Sequence, residues 1–224
     1  MSNQLKHFPP EPKIPHLLNS FYILRSTHEA ASSFLDIFQT SRKTRRAKGA
    51  PTDKEQDLLR AMLIFAASGL DSMVKQLIHD TLREVINVDR GATEQFKVYI
   101  ERRIRKGGEL DYKFLASVIA ENEPRNLMVT DLIIFLRSSS LQSKDQLLKV
   151  AAFFNIPSAQ LSSNFRILDE IFEARNQIAH EMDIDFTQAR KNRRPRRQDQ
   201  MISYANEIFR FANSFLKQVE SKLE

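Results

Sequence analysis

Apolar residues recur every three or four positions over long stretches of this chain, and no stretch alternates strictly between apolar and polar residues. A spacing near 3.6 residues places apolar side chains on one side of a helix, whereas strict alternation would indicate a strand. Glycine, which weakens helices, occurs five times in 224 residues. The pattern therefore predicts an all-α protein: a bundle of long antiparallel helices with an N-terminal helical extension.

The breaks in this apolar pattern predict eight helices, at residues 15–38, 53–86, 92–106, 111–121, 127–138, 144–153, 158–183 and 198–222. Thr52 and Glu55 have the spacing of a capping box, in which each side chain bonds the other residue's backbone amide at the start of a helix. Gly69, in the middle of the second helix, is expected to allow close contact with another helix. Gly107 and Gly108 are expected to end the third helix.

The chain is long enough to bury one sizeable core, and two parts are predicted along it. Residues 1–51 comprise a Pro-rich arm, an N-terminal helix and a basic linker, and residues 52–224 comprise the main helical domain. The first 15 residues are polar, so a signal peptide is not expected. No apolar run approaches the roughly 20 residues that cross a bilayer, so the sequence predicts a cytoplasmic protein without a membrane partner.

The composition also disfavours several kinds of chemistry. The chain has no cysteine, which excludes disulfides, thiolate metal ligands and a cysteine nucleophile. His7, His16, His28 and His79 lack the mutual spacing of a metal site, so no metal is predicted. The glycine-rich phosphate loops that many nucleotide-binding enzymes carry are absent from the sequence, and no cofactor is predicted.

The basic character of the chain predicts a polyanionic partner. The net charge of +6 favours a nucleic acid, an acidic protein or a lipid surface without choosing among them. Basic residues cluster at 42–48, 102–106 and 190–197, and each cluster alone is equally consistent with a solvated surface segment. The third cluster is the densest and begins ten residues after His180. Its members are predicted to bind RNA: Arg190, Lys191, Arg193, Arg194, Arg196 and Arg197.

Residues 175–180, Arg-Asn-Gln-Ile-Ala-His, are the strongest candidate for catalytic chemistry. Histidine moves protons near neutral pH, and arginine holds a phosphate and stabilises the negative charge that grows on it. Together these residue types suit RNA cleavage without a metal. An Arg–His spacing alone is a weak signal in an arginine-rich chain. The adjacent Asn176, the alanine before the histidine and the helical setting strengthen it.

The spacing of Arg175 and His180 raises a geometric difficulty. Asn176 and His180 are four residues apart, so their side chains neighbour each other on one side of a helix. Arg175 lies about 140° around the helix axis from His180, so one regular helix is not expected to aim both at the same phosphate. Either the helix ends or unwinds between them, or a second copy of the chain supplies the complementary group.

The pattern R-N-x-x-A-H late in a helical chain resembles the HEPN family (higher eukaryotes and prokaryotes nucleotide-binding domains), over roughly residue 52 to the C-terminus. The resemblance implies a HEPN-like bundle and a two-fold dimer whose facing motif helices form one cleft. It implies an endoribonuclease, a toxin or antiphage effector, with RNA as substrate and an antitoxin or regulatory protein as a further partner. Arg175, Asn176 and His180 would be catalytic. Asp71 would support them.

Other interpretations of the same residues stay open. Arg175 could pair with Glu173 or Asp169 on a surface. His180 could be a buried structural histidine, and Asp71 could be a capped or salt-bridged residue at the edge of the core. The chain could also be a catalytically silent HEPN-like module that binds RNA, a nucleotide or a protein, or a purely structural dimeric scaffold. Salt-sensitive RNA affinity without cleavage would indicate the silent module.

Overall fold

The computed structural model describes residues 4–46, 49–106 and 108–224. A 3₁₀ turn at Pro15–Leu17 leads into the first helix. The described residues contain nine α-helices: α1 (Leu18–Thr44), α2 (Asp53–Val88), α3 (Arg90–Arg103), α4 (Tyr112–Ile119), α5 (Pro124–Ser138), α6 (Lys144–Phe153), α7 (Ser158–Leu161), α8 (Phe165–Glu181) and α9 (Gln198–Leu223). The predicted all-α class is confirmed.

A small β-hairpin lies between α3 and α4. In it β1 (Arg105–Lys106) pairs antiparallel with β2 (Glu109–Leu110). Gly108 stands in the turn with a φ of +92°, a conformation that suits glycine because it has no Cβ. The helix predicted at 92–106 is therefore wrong at its C-terminal end, where α3 stops at Arg103 and the chain continues into strand pairing.

Parts of the sequence predictions lie outside the described residues. Residues 1–3 of the predicted arm, Lys48 of the first basic cluster and Gly107 of the predicted helix end are among them. Within the described part, α1 continues to Thr44 and not only to residue 38. The basic side chains that follow residue 41 belong in part to this last helical turn, where positive charge is favourable next to the exposed carbonyls.

The start of α2 is held by the predicted capping box. The Thr52 hydroxyl accepts from the Glu55 amide at 3.3 Å, and the Glu55 carboxylate accepts from the Thr52 amide at 2.8 Å. This confirms the prediction made from the spacing. The Glu55 carboxylate is buried and also accepts from Arg45 at 2.8 Å. The hydrogen bond from Arg45 is the main reason that the pKa of Glu55 falls to about 2.

Replacing Glu55 with glutamine is expected to lower the free energy of unfolding at pH 7 by about 1–2 kcal/mol, because charge-assisted hydrogen bonds are lost. The folded-state pKa lies below the unfolded value, so this stabilisation is complete above pH 4.5 and disappears as the pH falls towards 2. Thermal unfolding measured from pH 7 to pH 2 checks this pH dependence, with Glu101→Gln as an exposed control. If the stability difference between Glu55→Gln and the unaltered protein stays constant with pH, the Glu55 carboxylate is not the source of this stabilisation.

The core is built around α2, which contacts α1, α9, α8, α3 and α5. Buried residues occur along its whole length, from Glu55 to Ile86. The predicted close contact at Gly69 is confirmed, because a Cβ built at this position would lie 2.2 Å from the Thr27 side chain of α1. A larger residue at position 69 would therefore force α1 away from α2.

By length and mean hydropathy alone, α2 would qualify as a membrane span, contrary to the expectation that the chain has no such segment. More than half of its most apolar window is buried inside the fold, and the helices that cover it include α1 and α9. This is the arrangement of a core helix. One such helix is insufficient evidence for a membrane protein.

The N-terminal arm lies along α9. The Lys6 amide donates to Asn206 at 2.6 Å, Asn213 donates to the His7 carbonyl at 2.7 Å, and the Lys13 amide donates to Glu220 at 2.6 Å. The apolar side of α1 belongs to the same hydrophobic core as α2 and α9. The division of the chain into 1–51 and 52–224 stays a prediction about its organisation. The first part is nevertheless packed onto the second.

The helix predicted at 158–183 is divided in the structure into α7 and α8. The chain between them is extended at Ser162, whose hydroxyl accepts from the Asn164 amide at 3.1 Å. Asn164 then serves as the N-cap of α8, and its side chain accepts from the Arg166 amide at 3.2 Å. Short polar side chains compete with the helix for backbone partners in this way, which explains the break.

Candidate functional site

The candidate site lies on α8, which buries one side and exposes the other. Its buried residues include Leu168, Ile171 and Phe172, which fix the helix against α2 and α9. Asn176 and His180 are exposed and Arg175 is half-buried. The amphipathic pattern thus presents the three predicted catalytic residues at the surface of a helix whose other side is anchored in the core.

Arg175 and His180 meet within a single chain. Arg175 Nη1 lies 3.1 Å from His180 Nε2 and donates to Asn176 Oδ1 at 3.0 Å. Neither a break in the helix nor a second copy of the chain is needed for this contact, because α8 is unbroken from Phe165 to Glu181. The expectation that one helix does not aim both groups at the same phosphate stays a prediction. The long arginine side chain reaches around the helix surface, so the angle between the Cα atoms does not limit where the guanidinium lies.

The contact limits which tautomer of His180 can form this hydrogen bond. A guanidinium has donors only, so the bond forms only when His180 Nε2 carries no proton and accepts. Nε2 is then the nitrogen that could accept a proton from a substrate, once Arg175 has moved to another acceptor. The exposed position of His180 rules out the interpretation that it is a buried structural histidine.

Arg175 is partly removed from water. Its Nε is buried and has no hydrogen-bond partner among the described residues. Burial lowers the pKa of Arg175, while the nearby carboxylate of Asp71 acts in the opposite direction. Glu173 and Asp169 bind Gln177 and Lys144 respectively, and neither pairs with Arg175. Because Nε is closed to solvent, an incoming anionic oxygen would be bound by the terminal nitrogens of the guanidinium.

Asp71 lies close enough to Arg175 to affect its pKa, but the two side chains do not share a hydrogen bond. The Asp71 carboxylate accepts from the Leu141 amide at 2.7 Å and pairs with Lys75 at 3.0 Å. The alternative interpretation of Asp71 as a salt-bridged residue at the edge of the core agrees with these contacts. Its predicted supporting role can act on Arg175 only through the electrostatic field.

A buried ion-pair network follows directly after the motif. Asp183 is fully buried, and its carboxylate accepts from Arg60 Nε at 2.6 Å and from Arg196 Nε at 3.0 Å. Arg196 also donates to the Gln177 side chain at 2.8 Å. Met182 and Asp183 both have positive φ values, of 52° and 62°. The network therefore holds an unusual turn in place and ties the last turns of α8 to α2.

The arginine-rich segment 190–197 is a loop, as predicted, but most of its basic side chains have partners within the chain. Arg193 pairs with Asp57 at 2.6 Å and Arg194 pairs with Glu181 at 2.9 Å. Arg197 pairs with Asp199, and Lys191 donates to the Phe186 carbonyl. These pairs neutralise much of the positive charge that the sequence suggested for this segment.

Arg196 and Arg190 differ most in how accessible their side chains are to a ligand. Arg196 is buried on Asp183, so it cannot contact RNA in this structure, in contrast to its predicted role. Arg190 is exposed, and no hydrogen bond or ion pair within the described residues holds its side chain. Of the six predicted RNA-binding residues, Arg190 and Lys191 are thus the two without an acidic partner among the described residues, and the Arg190 side chain forms no hydrogen bond there either.

Three residues that surround the motif were not predicted from the sequence: Arg60, Asp183 and Gln56. Arg60 was detectable, because it is a charged residue among the apolar positions of α2 and such a residue needs a buried partner. Asp183 gave no comparable signal, since an aspartate after a helix is most often exposed. Gln56 accepts from the Arg196 amide at 2.6 Å and so links the loop after the motif to the first turn of α2.

The fold and the site define a helical protein with an exposed Arg–Asn–His cluster. Comparisons with protein-family models, with curated protein sequences and with solved structures each found no match for this chain. In the part of the chain that the structure describes, no group of three histidine or acidic residues is arranged to hold a metal ion.

Proposed function

We propose that this protein is a metal-independent endoribonuclease whose catalytic residues are Arg175, Asn176 and His180. The observation that carries the proposal is the 3.1 Å approach of the Arg175 guanidinium to the exposed His180 imidazole. An imidazole, which can transfer a proton, and a guanidinium, which can bind a phosphate oxygen, thus lie side by side on one helix surface. Acid–base catalysis and charge stabilisation at a phosphodiester use groups of these two kinds next to the same phosphate.

The reaction proposed is transesterification at phosphorus. His180 Nε2 accepts the proton of a ribose 2′-OH, the 2′-oxygen bonds to phosphorus, and the bond from phosphorus to the 5′-oxygen breaks. The products are a 2′,3′-cyclic phosphate and a 5′-hydroxyl, whose proton comes from a second acid. In a two-fold dimer, the His180 of a second copy is the proposed acid. DNA lacks the attacking hydroxyl and is expected to be inert.

Arg175 is proposed to bind the scissile phosphate. Its guanidinium must exchange the His180 nitrogen for a phosphate oxygen, which frees Nε2 to accept a proton at the same moment. Partial burial of Arg175 strengthens this attraction, because fewer water molecules screen it. Asn176, which accepts from Arg175 at 3.0 Å, is proposed to orient the guanidinium. The geometry thus links substrate binding to activation of the base.

The wider proposal is that the chain is a HEPN-like toxin or antiphage effector that acts as a homodimer in the cytoplasm. The R-N-x-x-A-H motif on α8 and the all-α fold support it. An antitoxin or a regulatory protein is the further partner proposed. The net charge of +6 supports RNA as the substrate, and Arg190 is the member of the loop with the most available charge.

The second candidate function is a catalytically silent module that binds RNA, a nucleotide or a protein. The ion pairs of Arg193, Arg194, Arg196 and Arg197 within the chain favour the form of this module that binds a nucleotide or a protein, because they reduce the charge that an RNA complex would use. The form that binds RNA would do so in a salt-dependent manner without turnover.

Incubation of the full chain with end-labelled RNA in EDTA separates the two functions. The endoribonuclease is expected to fragment RNA and to leave DNA of the same sequence intact. Binding measured in parallel at several salt concentrations reports on the silent module. Retention of RNA without fragments, at protein concentrations well above the dissociation constant, would overturn the endoribonuclease and favour the alternative.

A further inference from the structure

A cleft lies between α3, α5 and α6, on elements other than the motif helix. Its volume is about 370 Å³, at the lower end of the range of small-molecule sites. Aromatic and basic side chains make up most of its wall: Tyr99, Phe135, Phe153, Arg102, Arg103 and Lys149. None of the residues that line it is acidic. The cleft therefore combines an aromatic surface with positive charge.

The aromatic surface is held in a fixed position. Tyr99 donates its hydroxyl proton to Asp131 at 2.6 Å. Its ring lies 5.6 Å from the Phe135 ring and 6.3 Å from the Phe153 ring, measured between centroids. Phe135 is nevertheless 41% exposed. A rigid and partly exposed ring provides a surface on which a planar ligand stacks at little entropic cost.

The three cations of the cleft differ in how far their charge is already compensated. Arg103 is held by Asp131 at 2.8 Å and lies over the Phe114 ring. Arg102 and Lys149 are exposed, and neither has an ion-pair partner within the described residues. Lys149 Nζ lies 4.4 Å from the centroid of the Phe135 ring. A mobile ammonium group thus covers the ring face that a ligand would occupy.

We propose that this cleft binds a small aromatic anion, a planar ring that carries a phosphate or a carboxylate. The ring stacks on Phe135 and Tyr99. Its anionic group is bound by Arg102 and by Lys149, which moves off the ring to meet it. Both halves of the ligand are required, because the ring replaces water on exposed carbon and the anion neutralises two uncompensated charges.

Calorimetric titration of the full chain tests the site with adenosine monophosphate as the probe. Adenosine carries the ring without the phosphate, and ribose 5-phosphate carries the phosphate without the ring. The nucleotide is expected to bind at least about tenfold more tightly than either part, since stacking on an aromatic side chain contributes about that factor. A second titration, with 2-naphthoate, shows which anionic group the cleft prefers. If naphthoate binds as tightly as the nucleotide, the ligand is a carboxylate.

Two pairs of variants locate the binding. Phe135→Ala and Lys149→Ala are each expected to weaken the tighter probe about tenfold. Their controls are Ile134→Ala, an exposed apolar neighbour on α5, and Lys113→Ala, an exposed lysine on α4. Neither control residue lines the cleft. Absence of binding by both aromatic anions, or an equal effect of variants and controls, would overturn the proposal. RNA cleavage is not the readout, so the proposed nuclease function is tested separately.

Discussion

Replacing His180 with alanine is expected to slow RNA cleavage by about 10²- to 10⁴-fold, the usual contribution of a general acid or base. The side chain is exposed on α8, and its one hydrogen bond among the described residues is with Arg175. Its removal should therefore leave the fold intact. Circular dichroism and the unfolding temperature should match those of the unaltered protein, so that the loss of rate can be assigned to chemistry.

A matched control for this variant is His16→Ala. His16 is also exposed, pairs with a carboxylate at 2.7 Å and lies at the N-terminal end of the bundle. Its replacement should leave the cleavage rate unchanged. If His180→Ala and His16→Ala cleave RNA at the same rate as the unaltered protein, His180 is not the base and the catalytic assignment fails.

Asp183→Asn is expected to lower the free energy of unfolding by about 3–5 kcal/mol, because it leaves the buried Arg196 without a counter-charge and leaves Arg60 with only the half-exposed Asp57. Arg60 and Arg196 are 3% and 9% exposed, so water cannot compensate for the loss. A loss of this size is a large share of the free energy of unfolding of a typical domain, which is about 5–15 kcal/mol. Denaturant titration measures the change.

Two further variants show whether charge is the cause of this loss. Asp199→Asn breaks the exposed pair with Arg197 and should leave the denaturation midpoint nearly unchanged, since exposed ion pairs contribute little. Adding Arg196→Met to Asp183→Asn removes one uncompensated charge and should restore part of the lost stability. If the double variant is as unstable as the sum of its parts, the network is not held together by its charges.

Several elements of the fold could be predicted because their causes are local. The capping box at Thr52 and Glu55 depends on a spacing of three residues, and the apolar rhythm of α2 extends for its whole length. The division between α7 and α8 also had a local cause, in Ser162 and Asn164. It was missed because the apolar pattern continues across the break.

The helix that carries Arg175, Asn176 and His180 could be predicted from the sequence, whereas the contact between Arg175 and His180 could not. The 140° angle between Arg175 and His180 describes where the side chains begin, whereas their meeting depends on the length and flexibility of arginine. Arg196 was assigned to a solvated basic loop because its partner, Asp183, becomes buried only when the turn after α8 packs on α2. Such long-range pairings cannot be read from charge spacing along the chain.

The most direct test of the central claim is the chemical identity of the new ends when the full chain cleaves RNA in EDTA. If the Arg175–His180 pair activates the ribose hydroxyl, the fragments carry a 2′,3′-cyclic phosphate and a 5′-hydroxyl, and a 2′-deoxy substitution at the cut nucleotide prevents cleavage there. Fragments with a 3′-hydroxyl and a 5′-phosphate, or undiminished cleavage of the deoxy-substituted RNA, would contradict the claim.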